Sequence, residues 1–254
     1  MIIDKLRLNG KVGIVTGASR GLGRSMAIGL AEAGADLAII SRGVPDLMEV
    51  AKEIDKIGRK VLPIGADVSN LNQANDMVDK VVTEFGRIDI LVNNAGTTIR
   101  MKVEDFTEEA WDKVMAVNLK GAFFCAQAVG KVMIKQMSGK IINTASLLSA
   151  IGVPNAVAYA ATKGGIAQIT KCMAVEWAKY NINVNAIAPG YFRTPLTKPL
   201  QDDPIRSSQI LSRIPMQRWG DPDDLKGIVV FLASEASNYI TGQIIFVDGG
   251  WMAG

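Results

Sequence analysis

Histidine is missing altogether from this chain of 254 residues. A Ser-His-Asp triad is therefore impossible, and so is a histidine-liganded zinc site. Cysteine is nearly missing: Cys125 and Cys172 are the only two. They are too few and too far apart for a structural metal site, and no bound metal is expected. Both fall in helical patterns. Their spacing does not by itself exclude a disulfide, but two buried thiols in a reducing cytosol is the favoured reading. An excess of one charge is lacking too, since the net charge is +3 and there is no lysine or arginine run. Nothing there favours nucleic acid or a membrane surface as partner. No apolar run reaches the ~18 residues of a membrane-spanning helix. The opening MIIDKLRLNG carries Asp4, Lys5 and Arg7, unlike a signal peptide. A cytoplasmic protein is expected. Its chemistry must rest on tyrosine, lysine, serine, carboxylates or a bound cofactor.

What is present points to a globular α/β chain, with 48% hydrophobic and 21% charged residues. Short apolar runs alternate with longer amphipathic stretches. KVGIVT (11–16), DLAIIS (36–41), KVLPIGA (60–66), IDILVNN (88–94), KIINTAS (140–146), INVNAIA (182–188) and QIIFVDG (243–249) read as strands. Helical patterns lie between them, over about 22–33, 46–57, 70–85, 108–136, 157–180 and 222–233. Continuous apolar strands alternating with helices predict a parallel sheet covered on both faces. No linker, repeat or low-complexity tract divides the chain, so one domain over 1–254 is expected. The longest irregular stretch, about 190–220, has the character of a lid.

The first strand runs into TGASRGLG (16–23), which presents Gly17, Gly21 and Gly23. Glycines here permit a tight turn, close backbone approach to a phosphate and close helix–strand packing. The following helix N-terminus offers free N–H groups to a pyrophosphate. The strict G-x-G-x-x-G fingerprint fails, because Met26 stands where its third glycine would be. The turn is either an ordinary glycine turn or, as its place after the first strand favours, a nucleotide-binding one. At the end of the second strand stand Ser41 and Arg42, with no carboxylate to hold a ribose 2′-hydroxyl. An arginine there can pair a 2′-phosphate, and Arg20 in the glycine turn adds a second positive charge. NADP(H) is favoured, and NAD(H) stays possible.

In YAATK (159–163), Tyr159 and Lys163 stand four apart, on one helix face. The pair is a solvated helix face or a functional couple. An ammonium beside a phenol stabilises the phenolate and lowers the tyrosine pKa. That expectation makes Tyr159 an acid or base usable near neutral pH.

TGASRGLG, NNAG (93–96), Ser146, Y-x-x-x-K (159–163) and PG-x-x-x-T (189–194) follow one another in order. Together they resemble the classical short-chain dehydrogenases/reductases from about Lys11 to Gly250. The resemblance implies a Rossmann-like fold, a doubly wound seven-stranded parallel sheet with helices on both faces. It implies a cofactor-binding part over about 8–150 and a catalytic and substrate part over about 140–254. It assigns acid/base catalysis to Tyr159, lowering of its pKa and ribose binding to Lys163, and the substrate oxygen to Ser146. Asn118, in VMAVNLKG, matches the asparagine that bends its helix and holds a relay water. Cofactor contacts are implied for Gly17, Ser19, Arg20, Gly21, Leu22, Gly23, Ser41, Arg42, Asp67, Val68, Asn94, Ala95 and Gly96. Tyr159, Lys163, Pro189, Gly190, Phe192 and Thr194 complete that set. A non-catalytic NADP-sensing protein on the same scaffold should lack Ser146, Tyr159 or Lys163, and all three are present.

The stretches IAPGYFRTPLTKPL (187–200), RWGDPDDL (218–225) and FVDGGW (246–251) look like those of gluconate 5-dehydrogenases and 2-deoxy-D-gluconate 3-dehydrogenases. A small sugar acid is the implied substrate, with Arg100 or Arg193 available to its carboxylate. Arg100 is equally readable as a solvated loop residue. A 3-oxoacyl-acyl-carrier-protein reductase or a general carbonyl reductase would carry the same catalytic motifs. A homotetramer is the family expectation.

Overall fold

Alternate residues of the same strands feed two separate cores. The computed structural model describes residues 1–254. Along β1 (Val12–Thr16) and β2 (Asp36–Ser41), Val15, Leu37 and Ile39 join one apolar cluster, while Ile14, Ala38 and Ile40 join another. That follows from the two-residue period of a strand with both faces covered. After the short α1 (Ile2–Lys5), the first layer is α2 (Gly21–Glu32), α3 (Val44–Lys56) and, from the far end of the chain, α10 (Lys226–Ala233). The opposite layer is α4 (Leu71–Phe85), α5 (Glu108–Met115), α6 (Ala122–Gln136) and α7 (Val157–Trp177).

The sheet is parallel throughout, in the order β3-β2-β1-β4-β5-β6-β7. Here β3 is Val61–Gly65, β4 Ile90–Asn93, β5 Gly139–Thr144, β6 Ile182–Pro189 and β7 Ile244–Val247. The order reverses between β1 and β4. In an open parallel sheet, the crevice at the carboxyl ends of the strands beside such a reversal is where ligands bind. No helix is long and apolar enough to cross a membrane.

Three expectations change. Cys125 is buried but Cys172 is exposed, on the outer face of α7, and both are free thiols. The segment over 190–220 is not structureless, since it holds α8 (Lys198–Gln201) and α9 (Pro204–Leu211). Asp203 caps α9 by accepting from the N–H groups of Ile205 and Arg206, both at 3.0 Å, and Pro204 occupies its first turn. The rod over 108–136 is interrupted by a π-helical turn, Ala116–Gly121. A side chain at Gly121 would bring Cβ to 2.9 Å from the Val68 carbonyl oxygen, so this turn presses directly on the strand-end loop that carries Asp67.

Candidate active site

The glycine turn is held in shape from below by β4. Thr16 Oγ1 accepts from the N–H groups of Asn94 and Ala95, at 3.0 and 3.1 Å. Asn94 Nδ2 donates to the carbonyls of Thr16 and Gly17, at 3.1 and 3.2 Å. The Asn94 side chain thus braces the turn and does not face the cleft as a free group. Gly17 has φ +66°, where a Cβ would lie 2.8 Å from Ala95 Cα. At Gly23 a Cβ would lie 2.2 Å from the Gly17 carbonyl oxygen, so no other residue fits. Arg20 is the N-cap of α2 and places no side-chain cap on it, leaving the first-turn N–H groups open.

At the end of β2, Ser41 donates to the Gly43 carbonyl at 3.0 Å, and the exposed Arg42 reaches Asp67 at 3.9 Å. Burial raises the Asp67 pKa, but hydrogen bonds from Ser69 and the Arg42 charge outweigh it and hold the carboxyl below its ordinary value. Val68 and Phe192 turn their side chains into the core, so only their backbone can reach a cofactor. Pro189 ends β6, and Gly190 packs so closely on Asp248 that a Cβ would meet its Cα at 2.7 Å. Thr194 sits across from the turn, 3.6 Å from where a Gly21 Cβ would be. Ser19 and Leu22 remain partly exposed at the same mouth.

Ser146, Tyr159, Lys163 and Asn118 converge beyond the end of β5. Ser146 caps the short 3-10 turn Leu147–Ser149 by accepting from the Leu148 N–H at 3.2 Å, and its hydroxyl stands beside the Tyr159 phenol. Lys163 Nζ lies 5.4 Å from the Tyr159 ring centroid and donates to the Thr144 carbonyl at 2.5 Å. Asn118, inside the π-helical turn, is pinned by two bonds of 2.8 Å to the Thr97 backbone and by Thr162 Oγ1 at 3.3 Å. Gly96 leaves the space beside it, with Asn118 Oδ1 3.5 Å from a would-be Cβ. The partners Thr16, Thr97, Thr144 and Thr162 carry no signal in the sequence, because a threonine that braces a site looks like any other.

The residue types alone predict a phenol drawn down by its ammonium neighbour. The structure reverses this for the chain by itself. Burial raises Tyr159 above its ordinary value, and the Ser146 hydrogen bond and the Arg100 charge only partly offset it. Tyr159 keeps some surface open, yet its hydroxyl is packed tightly enough for burial to dominate. Lys163 is buried at the same place, which pushes its own pKa down to about 8. Desolvation disfavours the charged form of both groups.

Tyr191 was not among the expected residues, although it follows the PG of PG-x-x-x-T directly. It packs edge-on to Trp219, with centroids 5.7 Å apart, and tilted on Trp251 at 4.9 Å. Arg213 stacks over the Trp251 ring at 4.3 Å. Arg193, the other arginine available to a carboxylate, is instead ion-paired with Asp221 at 3.2 Å.

The residues suit a dinucleotide. The turn admits no side chains where it is tightest, and the α2 amides stay open. Lys163 is a buried ammonium with three donors and one acceptor, and Thr144 Oγ1 is buried without a partner. Comparison with known proteins agrees. A family model described as enoyl-(acyl carrier protein) reductase matches residues 17–252. The 2-dehydro-3-deoxy-D-gluconate 5-dehydrogenase of Dickeya dadantii is 48% identical over 254 residues, covering 100% of both chains. The 3-oxoacyl-acyl-carrier-protein reductase of Thermotoga maritima is 42% identical, over 96% of this chain and 99% of that one. The crystal structure of a gluconate 5-dehydrogenase from Burkholderia cenocepacia, in complex with NADP and tartrate, superposes with a TM-score of 0.97 at 41% identity, covering 100% of both chains. With its reversed seven-stranded sheet, its glycine turn and its Ser146–Tyr159–Lys163 cluster, the chain belongs to the short-chain dehydrogenase/reductase family.

Proposed function

We propose that this chain is an NADP(H)-dependent oxidoreductase that interconverts a secondary alcohol and a ketone on a six-carbon sugar acid, at C5. The observation that carries the reading is the Ser146–Tyr159–Lys163 cluster, set beside a glycine turn that ends in an uncapped helix. When bound, the nicotinamide supplies or accepts the hydride, the difficult part of the chemistry.

The protein supplies geometry and one proton. Ser146 positions the substrate oxygen against the Tyr159 hydroxyl. Burial keeps that phenol protonated, which suits a proton donor to a carbonyl oxygen. Lys163, with donors to spare, would hold ribose hydroxyls and refill the phenol's proton from its own side. Asn118 keeps the backbone of the π-helical turn open beside Gly96, where a relay water would sit. The α2 amides would take the pyrophosphate, and Arg20 with Arg42 a 2′-phosphate. Arg42 would leave its long contact with Asp67 and free that carboxylate for the adenine amino group.

The relatives' names support C5 of a sugar acid, and between 2-dehydro-3-deoxy-D-gluconate and gluconate the 48% relative favours the first. The 42% reductase keeps acyl thioesters as the second reading. We further read residues 8–150 as the cofactor part, 140–254 as the catalytic part with a lid over 190–220, and the working form as a cytoplasmic homotetramer. The test is a substrate panel of sugar acids, neutral keto-sugars and acetoacetyl thioesters, each with NADPH and NADH, followed by nicotinamide absorbance. Preference for NADPH and for keto-acids is expected. Activity on the thioesters alone would replace this reading with the second.

A further inference from the structure

We propose that Ser149 is a positioning residue, whose single hydroxyl fixes Ser146 against the helix that carries Tyr159 and Lys163. The inference rests on the acid/base reading above and names the group that holds its parts in register.

Ser149 Oγ accepts from the Ser146 N–H at 3.3 Å and donates to the Lys163 carbonyl at 2.7 Å. One oxygen thus joins two members of the site that belong to different elements. Ser149 itself lies on the 3-10 turn that follows β5. The first bond is what a capping box of that turn requires. The second is not, because it leaves the turn and ends inside α7. A helical carbonyl takes one N–H from its own helix and keeps a second lone pair for an outside donor.

Lys163 is held at both of its ends by the same short segment. Its Nζ donates to the Thr144 carbonyl at 2.5 Å, where β5 finishes, and its own carbonyl takes the Ser149 hydroxyl, where the turn finishes. These two points bracket Ser146. Every polar group of Ser146 except its hydroxyl hydrogen then has a partner. The N–H goes to Ser149 Oγ, the carbonyl accepts from the Ser149 N–H at 2.9 Å, and Oγ accepts from the Leu148 N–H at 3.2 Å. What remains is one O–H donor, the group the reading assigns to the substrate oxygen. On the other side, Leu147 of the same turn is buried with Ile210, Ile214, Trp219 and Trp251. That apolar contact holds the turn down, but only the hydrogen bonds give Ser146 a direction.

The test uses the full chain with NADPH and whichever substrate of the panel above the parent reduces fastest. Turnover is read by nicotinamide absorbance and NADPH affinity by its fluorescence. Ser149→Ala should lower kcat about tenfold, within the roughly 10²-fold that a misplacement of about 1 Å costs, and leave NADPH affinity within about twofold. Affinity is spared because Thr144 still holds the ammonium. Ser149→Thr keeps the hydroxyl and should stay within about threefold of the parent. A role in capping alone would lower the melting temperature and spare kcat. Tyr159→Phe serves as the reference for the acid/base reading. If Tyr159→Phe loses turnover while folded Ser149→Ala keeps it, Ser149 is no positioning residue and the reading stands. If Tyr159→Phe turns over like the parent, both fall. Loss of kcat and NADPH affinity together in Ser149→Ala, without recovery in Ser149→Thr, also overturns the inference. Should Ser149→Ala fail to fold, Ser149→Cys, of similar size but weak in hydrogen bonding, is held to the same outcomes. If neither folds, Ser149 serves the fold and the inference is overturned.

Discussion

A lysine stands at each end of β5, one half-buried and one buried, and the two have opposite roles. Lys140 lies at the start of β5, and Lys163 reaches from α7 to the carbonyl of Thr144 at its finish. Burial pushes both down to about 8. Their surroundings differ in the number of acceptors. Lys140 donates to Asn183 and Asn238, each at 2.8 Å, and to Ser237 at 3.4 Å. All three of its N–H groups are used, and it clamps β5, β6 and the 3-10 turn Glu235–Ser237 together. Lys163 uses one. A perturbed pKa is thus a poor marker of function by itself, since both ends of β5 have one. Free hydrogen-bonding capacity at a buried charge is the better marker, because a purely structural site would have no reason to leave it unsatisfied.

The contrast can be broken most directly at the catalytic end. Tyr159→Phe should lower kcat by on the order of 10³-fold or more, with NADPH affinity nearly intact. Lys163→Met should lower kcat on a similar scale and weaken NADPH binding. It should melt no lower than the parent, since it removes a buried charge with a single partner. A lower melting temperature for Lys163→Met would mean that this lysine is a clamp too. The next effect belongs to the other end. Lys140→Met should keep turnover but cost about 1–3 kcal/mol of stability, because it leaves acceptors of β6 and the following turn unpaired. Chemical denaturation measures it, and loss of turnover in a folded Lys140→Met protein would erase the distinction.

The smallest effect is the pH dependence of stability. The Lys140 amine titrates near 8 when folded and at its ordinary 10.5 when unfolded. Between these values the unfolded chain holds a proton that the folded chain has released, so this group makes stability rise with pH. Lys163 contributes in the same sense. Cys125, pushed up from 9.0 to about 12, opposes both above about pH 9. The Lys140 contribution is therefore read as the difference between parent and Lys140→Met, which should narrow as pH falls from about 10 to 8 if the clamp is penalised by its charge. A difference independent of pH over that range would place the whole cost in the lost hydrogen bonds.

Most of the scaffold is legible in the chain. Strand DLAIIS is found at its expected bounds, 36–41, because both faces are covered and its four central residues, Leu37 to Ile40, are all buried and apolar between polar ends. Strand IDILVNN is shorter than its apolar run. Asn94 and Ala95 give their N–H groups to Thr16 Oγ1, which ends the ladder at Asn93. Cys172 shows the opposite limit. It sits in a helix whose apolar residues run all round, so its outward placement has no periodic signal. Arg193 and Arg213 are alike as letters near one motif, yet one is neutralised by Asp221 and the other lies on Trp251.

The sequence by itself determined the order of elements, the glycine turn and the residue types gathered at 146, 159 and 163. These depend on local spacing, on hydrophobic period and on steric limits such as the one at Gly23. It also excluded histidine chemistry outright. Only the tertiary structure decided the sign of the Tyr159 shift, the pinning of Asn118 to Thr97, and which arginines remain without a carboxylate. Each of those is set by groups far apart in the chain and by how much water is removed around them. Desolvation and pairing are properties of the packed neighbourhood, and no spacing along the chain encodes them.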